Sequence, residues 1–164
     1  MMKLLTYLAA LTTTGLSAGL FFAWSFSVTP GLAKINDTAY ILAFQSMNRA
    51  ILNPTFFLVF MGPLLLLPLS AYLSYTGIGS LRFWMLAAAT VAYVVGVFGI
   101  TMAGNVPMNE ALDTFNIGSA TADQIAARRA GFEARWIFLN NIRTGCAALA
   151  LILGSAACIL PQPK

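Results

Sequence analysis

Phe132–Gly145, "FEARWIFLNNIRTG", runs directly into Cys146–Leu160, "CAALALILGSAACIL". The second piece is apolar enough to sit in lipid. The first carries Trp136, Asn140, Asn141, Arg143 and Thr144 over the turns by which a helix would enter it. Hydrocarbon offers no water to a polar group, so each buried amide or hydroxyl needs a protein partner, and an arginine at depth is costlier still. A sequence that puts such groups there is either gluing helices together or lining a cavity.

Composition makes lipid the relevant solvent. The chain has 164 residues, 59% hydrophobic and 9% charged, with a mean hydropathy of +0.81. A soluble domain of this size needs more polar residues to cover its surface. The reading is an integral membrane protein, with the bacterial inner membrane as the expected location. Four apolar blocks, at about residues 4–28, 54–75, 83–102 and 136–160, each approach the ~20 residues that cross a hydrocarbon core as a helix. They predict one all-α domain, a transmembrane four-helix bundle. The first block follows Lys3 as a signal peptide would, but it exceeds a typical h-region and no A-x-A site follows, so it reads as a retained span. The second opens with Pro54, at home at a helix start, and is expected to bend near Pro63 or Pro68.

The connections are unequal. "TGIGSLR", Thr76–Arg82, is a tight turn, whereas residues 29–53 and 103–135 form two long connections that alternation puts on one membrane face. In the first, Asp37 is expected to cap a short amphipathic helix. In the second, Thr121 begins a helix that continues into the fourth span. The polar residues near the span ends gather on this same face: Ser25, Ser27 and Thr29; Gln45, Asn48, Arg49 and Asn53; Thr101, Asn105 and Asn109; and the opening stretch itself. All five carboxylates lie there too.

Helical spacing turns the list into two stripes. Glu133, Trp136, Asn140, Arg143 and Cys146 or Ala147 follow steps of three and four. Thr101, Asn105 and Asn109 do the same on the third helix, up to the disturbance expected at Pro107. Stripes facing lipid would leave these groups unpaired, so they are expected to face inward and frame a cavity mouth. The bland alternative is interhelical glue, worth about 0.6 kcal/mol per polar pair, with Trp24 and Trp136 in an interfacial aromatic belt. Arg143 fits that alternative least, because it must snorkel or find a carboxylate such as Glu133 or Glu110. Gly15 and Gly19 have the spacing for close helix packing, within the bundle or across an oligomer interface.

Several chemistries are excluded. The chain has no histidine, so it supplies no two-histidine iron site, histidine-held zinc or haem, or Ser-His-Asp triad. Cys146 and Cys158 are twelve residues apart on one helix, about 18 Å at 1.5 Å per residue, beyond disulfide reach. The net charge of +4 is scattered, and no basic run suggests a nucleic-acid partner. Lys34, Arg49, Arg128, Arg129 and Arg135, with Arg143 a sixth, outnumber Lys3, Arg82 and Lys164 on the other face. The positive-inside rule therefore assigns the polar face to the cytoplasm.

Four segments, "GLSAGLFFAWSFSVTPGL", "FQSMNRAILNP", "NVPMNEAL" and "FEARWIFLNNIRT", taken in order, resemble the anthrone oxygenase family of small four-span membrane proteins. The resemblance implies a small aromatic substrate, anthrone-like and soluble in membrane lipid, oxidised by molecular oxygen. A non-catalytic membrane protein that binds a small hydrophobic molecule or a partner protein is the rival reading. The residues matching the motifs are Asn48, Arg49, Asn105, Pro107, Asn109, Trp136, Asn140 and Arg143, and Trp24 lies in the first segment. With no histidine to hold a metal, no metal and no redox cofactor are expected: a base removes an acidic C–H, and the carbanion reacts with oxygen. Arg143 and the Asn amides would stabilise the anion. Glu133 is the first choice of base and Glu110 the second, since apolar surroundings can raise a carboxylate pKa.

Overall fold

The computed structural model describes residues 1–160; Lys164, which enters the charge count, lies outside the described residues. Five long helices make up the chain: α1 (Met2–Leu32), α2 (Asp37–Ile51), α3 (Pro54–Ser74), α4 (Leu81–Asp113) and α5 (Ala122–Ile159). All but α2 are long and apolar enough to cross a membrane, and no strand occurs among the described residues. The fold is the expected four-helix bundle, and three of its four spanning helices are longer than their apolar blocks. α1, α4 and α5 have 31, 33 and 38 residues, or about 45 to 57 Å at 1.5 Å per residue, against a hydrocarbon core of about 30 Å. Hydropathy marks only the part in lipid; the helices continue past it as amphipathic turns.

Each span packs on its sequence neighbours, and α1 closes the ring against α5. A Cβ on Gly62 would lie 2.8 Å from Thr13 Cγ2, and one on Gly96 would run into Cys146 Sγ, so backbones approach closely at these points. Gly15 meets Leu151 at an ordinary 3.8 Å and Gly19 meets nothing within 4 Å, so their spacing marks no tight contact. Phe21, Phe60, Leu67, Tyr93, Val97, Ala147 and Ala150 fill the core.

α3 runs unbroken through Pro63 and Pro68. Pro63 has no N–H for the carbonyl of Val59, and the Ser17 hydroxyl lies 3.2 Å from that oxygen as its donor. The Tyr93 hydroxyl donates to the next carbonyl, Phe60, at 3.0 Å. Neighbouring helices thus supply what the proline withholds, as a non-aqueous medium demands.

π-helical turns interrupt α1 at Trp24–Val28 and α4 at Val94–Gly99 and Thr101–Asn105. The disturbance expected at Pro107 does not end the helix. Pro107 sits in the first turn of the α-helical stretch that resumes at Val106, where a missing N–H costs least.

α2 closes the end of the bundle. Its N-cap is Asn36, whose Oδ1 accepts from Ala39 N at 2.8 Å; Asp37, expected to cap, is instead the first helical residue, where its charge suits the helix dipole. Tyr40, Ile41 and Phe44 are fully buried against Leu112, Ile125, Phe132 and Trp136. Gln45 Nε2 donates to the carbonyls of Leu112 and Phe115 at 2.8 and 2.9 Å, tying α2 to the end of α4 and the residues just after it. Arg129 fastens the segment before α2, donating to the carbonyls of Ala33 and Ile35, to Asp37 at 3.0 Å and to Glu133 at 2.8 Å. Its guanidinium stands 4.4 Å above the Tyr40 ring. Burial, and next the Glu133 charge, raise the Tyr40 phenol pKa above its ordinary value. As the sequence predicts, Thr121 starts α5, through a reciprocal capping box with Gln124.

Candidate functional site

Beneath α2 lies a cavity of about 480 Å³, bounded by all five long helices. Aromatic rings line it from three helices: Phe21 and Trp24 from α1, Phe56, Phe57 and Phe60 from α3, and Trp136 from α5. Trp24 and Trp136 have ring centroids 5.1 Å apart, and Phe44 from α2 stands edge-on to Trp136 at 4.9 Å. Two of the π-helical turns contribute lining residues, Trp24 from the first and Thr101 and Met102 from the third. Such turns re-aim side chains that a regular helix would place elsewhere.

The polar wall is built on α5. The Arg143 side chain is buried, with the residue 5% exposed. It donates through Nη2 to Asn140 Oδ1 at 2.8 Å and through Nη1 to Thr101 Oγ1 at 3.2 Å. Its guanidinium lies 4.7 Å from the Phe21 ring centroid and 5.5 Å from that of Trp136. Among the described residues no carboxylate pairs with it, and its Nε has no hydrogen-bond partner. Asn140 is itself anchored, donating to Ser25 Oγ at 2.8 Å and to the Phe21 carbonyl at 3.2 Å. Trp136 Nε1 donates to Asn109 Oδ1 at 2.8 Å, tying α5 to α4.

Of the residues singled out from the sequence, the fold brings Trp24, Asn48, Arg49, Asn109, Glu110, Trp136, Asn140 and Arg143 together on the cavity. Asn48 Nδ2 is buried there without a partner. Arg49 pairs with Asp113 at 2.7 Å across the cavity's polar end. Two of the residues expected to form the site, Glu133 and Asn105, fall outside the lining. Glu133 is held by Arg129 near the start of α2, one turn before Trp136, so the first choice of base is not among the lining residues; Glu110 is. Asn105 is 1% exposed, its amide oxygen and nitrogen both unpartnered, and it is not a lining residue. The aromatic walls at Phe21, Phe56 and Phe60 had no signal in the sequence, since an aromatic in an apolar span looks like any other apolar residue.

Chemically, the site offers a set of aromatic rings, one fixed cation without a counter-charge among the described residues, several amides, and Glu110 at the polar rim. Among the described residues no three of Cys, Asp and Glu gather closely enough to hold a metal ion.

A family model described as anthrone oxygenase matches residues 56–153. No curated protein and no solved structure matches the chain. The matched segment carries Asn109, Glu110, Trp136, Asn140 and Arg143, while Trp24, Asn48 and Arg49 lie before it. A match over more than half of the chain, on a bundle of four membrane-spanning helices, places this protein in the anthrone oxygenase family.

Proposed function

We propose that the protein oxidises a small, flat, anthrone-like aromatic with molecular oxygen in the cavity beneath α2. The observation that carries this reading is Arg143: a buried guanidinium with no carboxylate partner, set in an aromatic slot. A charge so placed is costly unless an anion compensates it, and among the described residues none does so. The reaction supplies one. Glu110 takes a proton from the methylene carbon opposite the substrate carbonyl, and the negative charge spreads to the carbonyl oxygen. Arg143 and the Asn amides stabilise that oxyanion, in low-dielectric surroundings where fixed donors act strongly. The carbanion transfers electrons to oxygen, a C–O bond forms, and the peroxide oxygen takes back the proton held by Glu110. The resulting hydroperoxide loses water to leave a second carbonyl, so one O₂ is consumed and one H₂O released per methylene oxidised. The scheme requires no metal and no redox cofactor. Stoichiometric metal in purified protein, with activity lost on chelation and restored by one metal, would refute that part.

The proposed setting is the bacterial inner membrane with the cavity toward the cytoplasm, supported by the basic residues on that face. Oxygen uptake by purified protein given an anthrone is the direct test. Uptake that depends on both substrate and Arg143 supports the enzyme. Tight binding of the aromatic without uptake makes the protein a binder of small hydrophobic molecules instead.

A further inference from the structure

The cavity is bordered differently on its two sides, and its polar end carries the exposed Arg49, Glu110 and Thr114. Toward water, α2 lies across the bundle end, and the Arg49–Asp113 ion pair links α2 to the end of α4 at 2.7 Å. Toward lipid, four lining residues are exposed on the outside of the bundle: Leu52 (65%), Phe57 (43%), Met61 (36%) and Met102 (49%). The last three belong to facing parts of α3 and α4. These helices pack extensively along Leu81–Tyr93 but only sparsely along Val94–Asp113, the part of α4 that contains both π-helical stretches. The spans therefore part at this end, and the gap is edged by flexible or flat apolar side chains.

Depth decides what lies outside the gap. α3 has 21 residues, about 31 Å at 1.5 Å per residue, which matches the hydrocarbon thickness. Met61 is seven residues from its start, about 10 Å along the axis. The gap therefore lies below headgroup level, against acyl chains.

We infer that Phe57, Met61 and Met102 edge a lateral portal through which a lipid-dissolved aromatic enters the cavity from the acyl-chain region rather than from water. The inference rests on the proposed function for the identity of the molecule, but not for the existence of the opening. A sulfur-rich, unbranched edge adapts to flat solutes of different outline.

The chain's three tryptophans allow a test without catalysis. In a Trp24→Phe/Trp84→Phe variant, only Trp136 emits, and it is 4% exposed and lines the cavity. The variant is reconstituted in phosphatidylcholine vesicles with acyl chains brominated near the headgroup end, a contact quencher. Emission loss should approach that of the lipid-exposed Trp84 measured in a Trp24→Phe/Trp136→Phe variant, while aqueous iodide leaves Trp136 emission unchanged. Adding Met61→Phe and Met102→Phe should narrow the slot and reduce the loss. Quenching by iodide but not by brominated lipid, or by neither, overturns the portal. If Trp24→Phe destabilises the fold, Trp84→Phe alone reports on Trp24 and Trp136 together, with the same two outcomes. Because no turnover is measured, absence of oxygenase activity leaves the portal result standing, and a closed wall leaves the oxygenase reading standing.

Discussion

Asn140 accepts a hydrogen bond from Arg143 at 2.8 Å, while its own amide nitrogen donates at 2.8 Å to Ser25 on the first span. One side chain therefore both aims the buried cation and staples α5 to α1. Site and glue, alternatives in the sequence, meet in this residue.

That double role sets the first prediction. Arg143→Leu should reduce turnover about a hundred- to thousandfold, the usual cost of removing a fixed oxyanion donor, while melting in detergent stays near wild type, because the lost hydrogen bonds are offset by removing a buried charge that has no counter-charge among the described residues. Arg143→Lys keeps the charge without the planar fork and should recover only part of the activity. Asn140→Leu should lose both activity and thermal stability, the latter by about 1 to 2 kcal/mol for its broken hydrogen bonds. Full activity in a well-folded Arg143→Leu protein would sink the site assignment.

The two carboxylates separate cleanly. Glu110→Gln should lower kcat about 10²- to 10⁴-fold, the range for a lost general base, with little change in substrate binding. Glu133→Gln should leave kcat near wild type but loosen the segment before α2, since it weakens the Arg129 contact at 2.8 Å. Limited proteolysis at Ala33–Asp37 reads out the second effect. The reverse assignment of the two phenotypes would return Glu133 to the role of base.

Pro63 and Ser17 should be coupled. Ser17→Ala leaves the Val59 carbonyl without a donor, at a cost of about 1 kcal/mol in melting measurements. In a Pro63→Ala background the backbone N–H returns and serves that carbonyl, so the same Ser17→Ala change should cost much less. Additive effects in this double-mutant cycle would mean that the serine does not compensate for the proline.

Membrane orientation can be read from two exposed positions. Ile78 lies in the tight turn between α3 and α4, and Ser119 lies in the connection before α5. A cysteine at 78 should react with an impermeant maleimide added to intact cells, and a cysteine at 119 only after permeabilisation. Labelling of both positions from the same side would contradict the four-span arrangement, and the opposite order would reverse the orientation.

Much of this architecture was legible in the residues themselves. Apolar blocks of span length specify transmembrane helices because unsatisfied backbone groups cannot survive in hydrocarbon, and the alternation of short and long connections fixes which polar groups share a face. Spacing on α5 likewise put Trp136, Asn140 and Arg143 on one stripe, which the structure turns inward. Glu133 belongs to that stripe by angle, since seven residues separate it from Asn140, nearly two full turns. Helical phase gives a direction but not what lies across from it. Only the docking of α2, with Phe44 and Phe132 packed on Trp136 and Arg129 taking the carboxylate, set the cavity's upper limit below residue 133. On α4 the π-helical turns break the regular period, so Thr101 and Asn109 line the cavity while Asn105 between them does not. The aromatic walls and the unpaired state of Arg143 were likewise decided by tertiary structure, because both depend on contacts between helices far apart in sequence, and a one-dimensional pattern of apolar residues does not distinguish a side chain facing lipid from one facing a cavity.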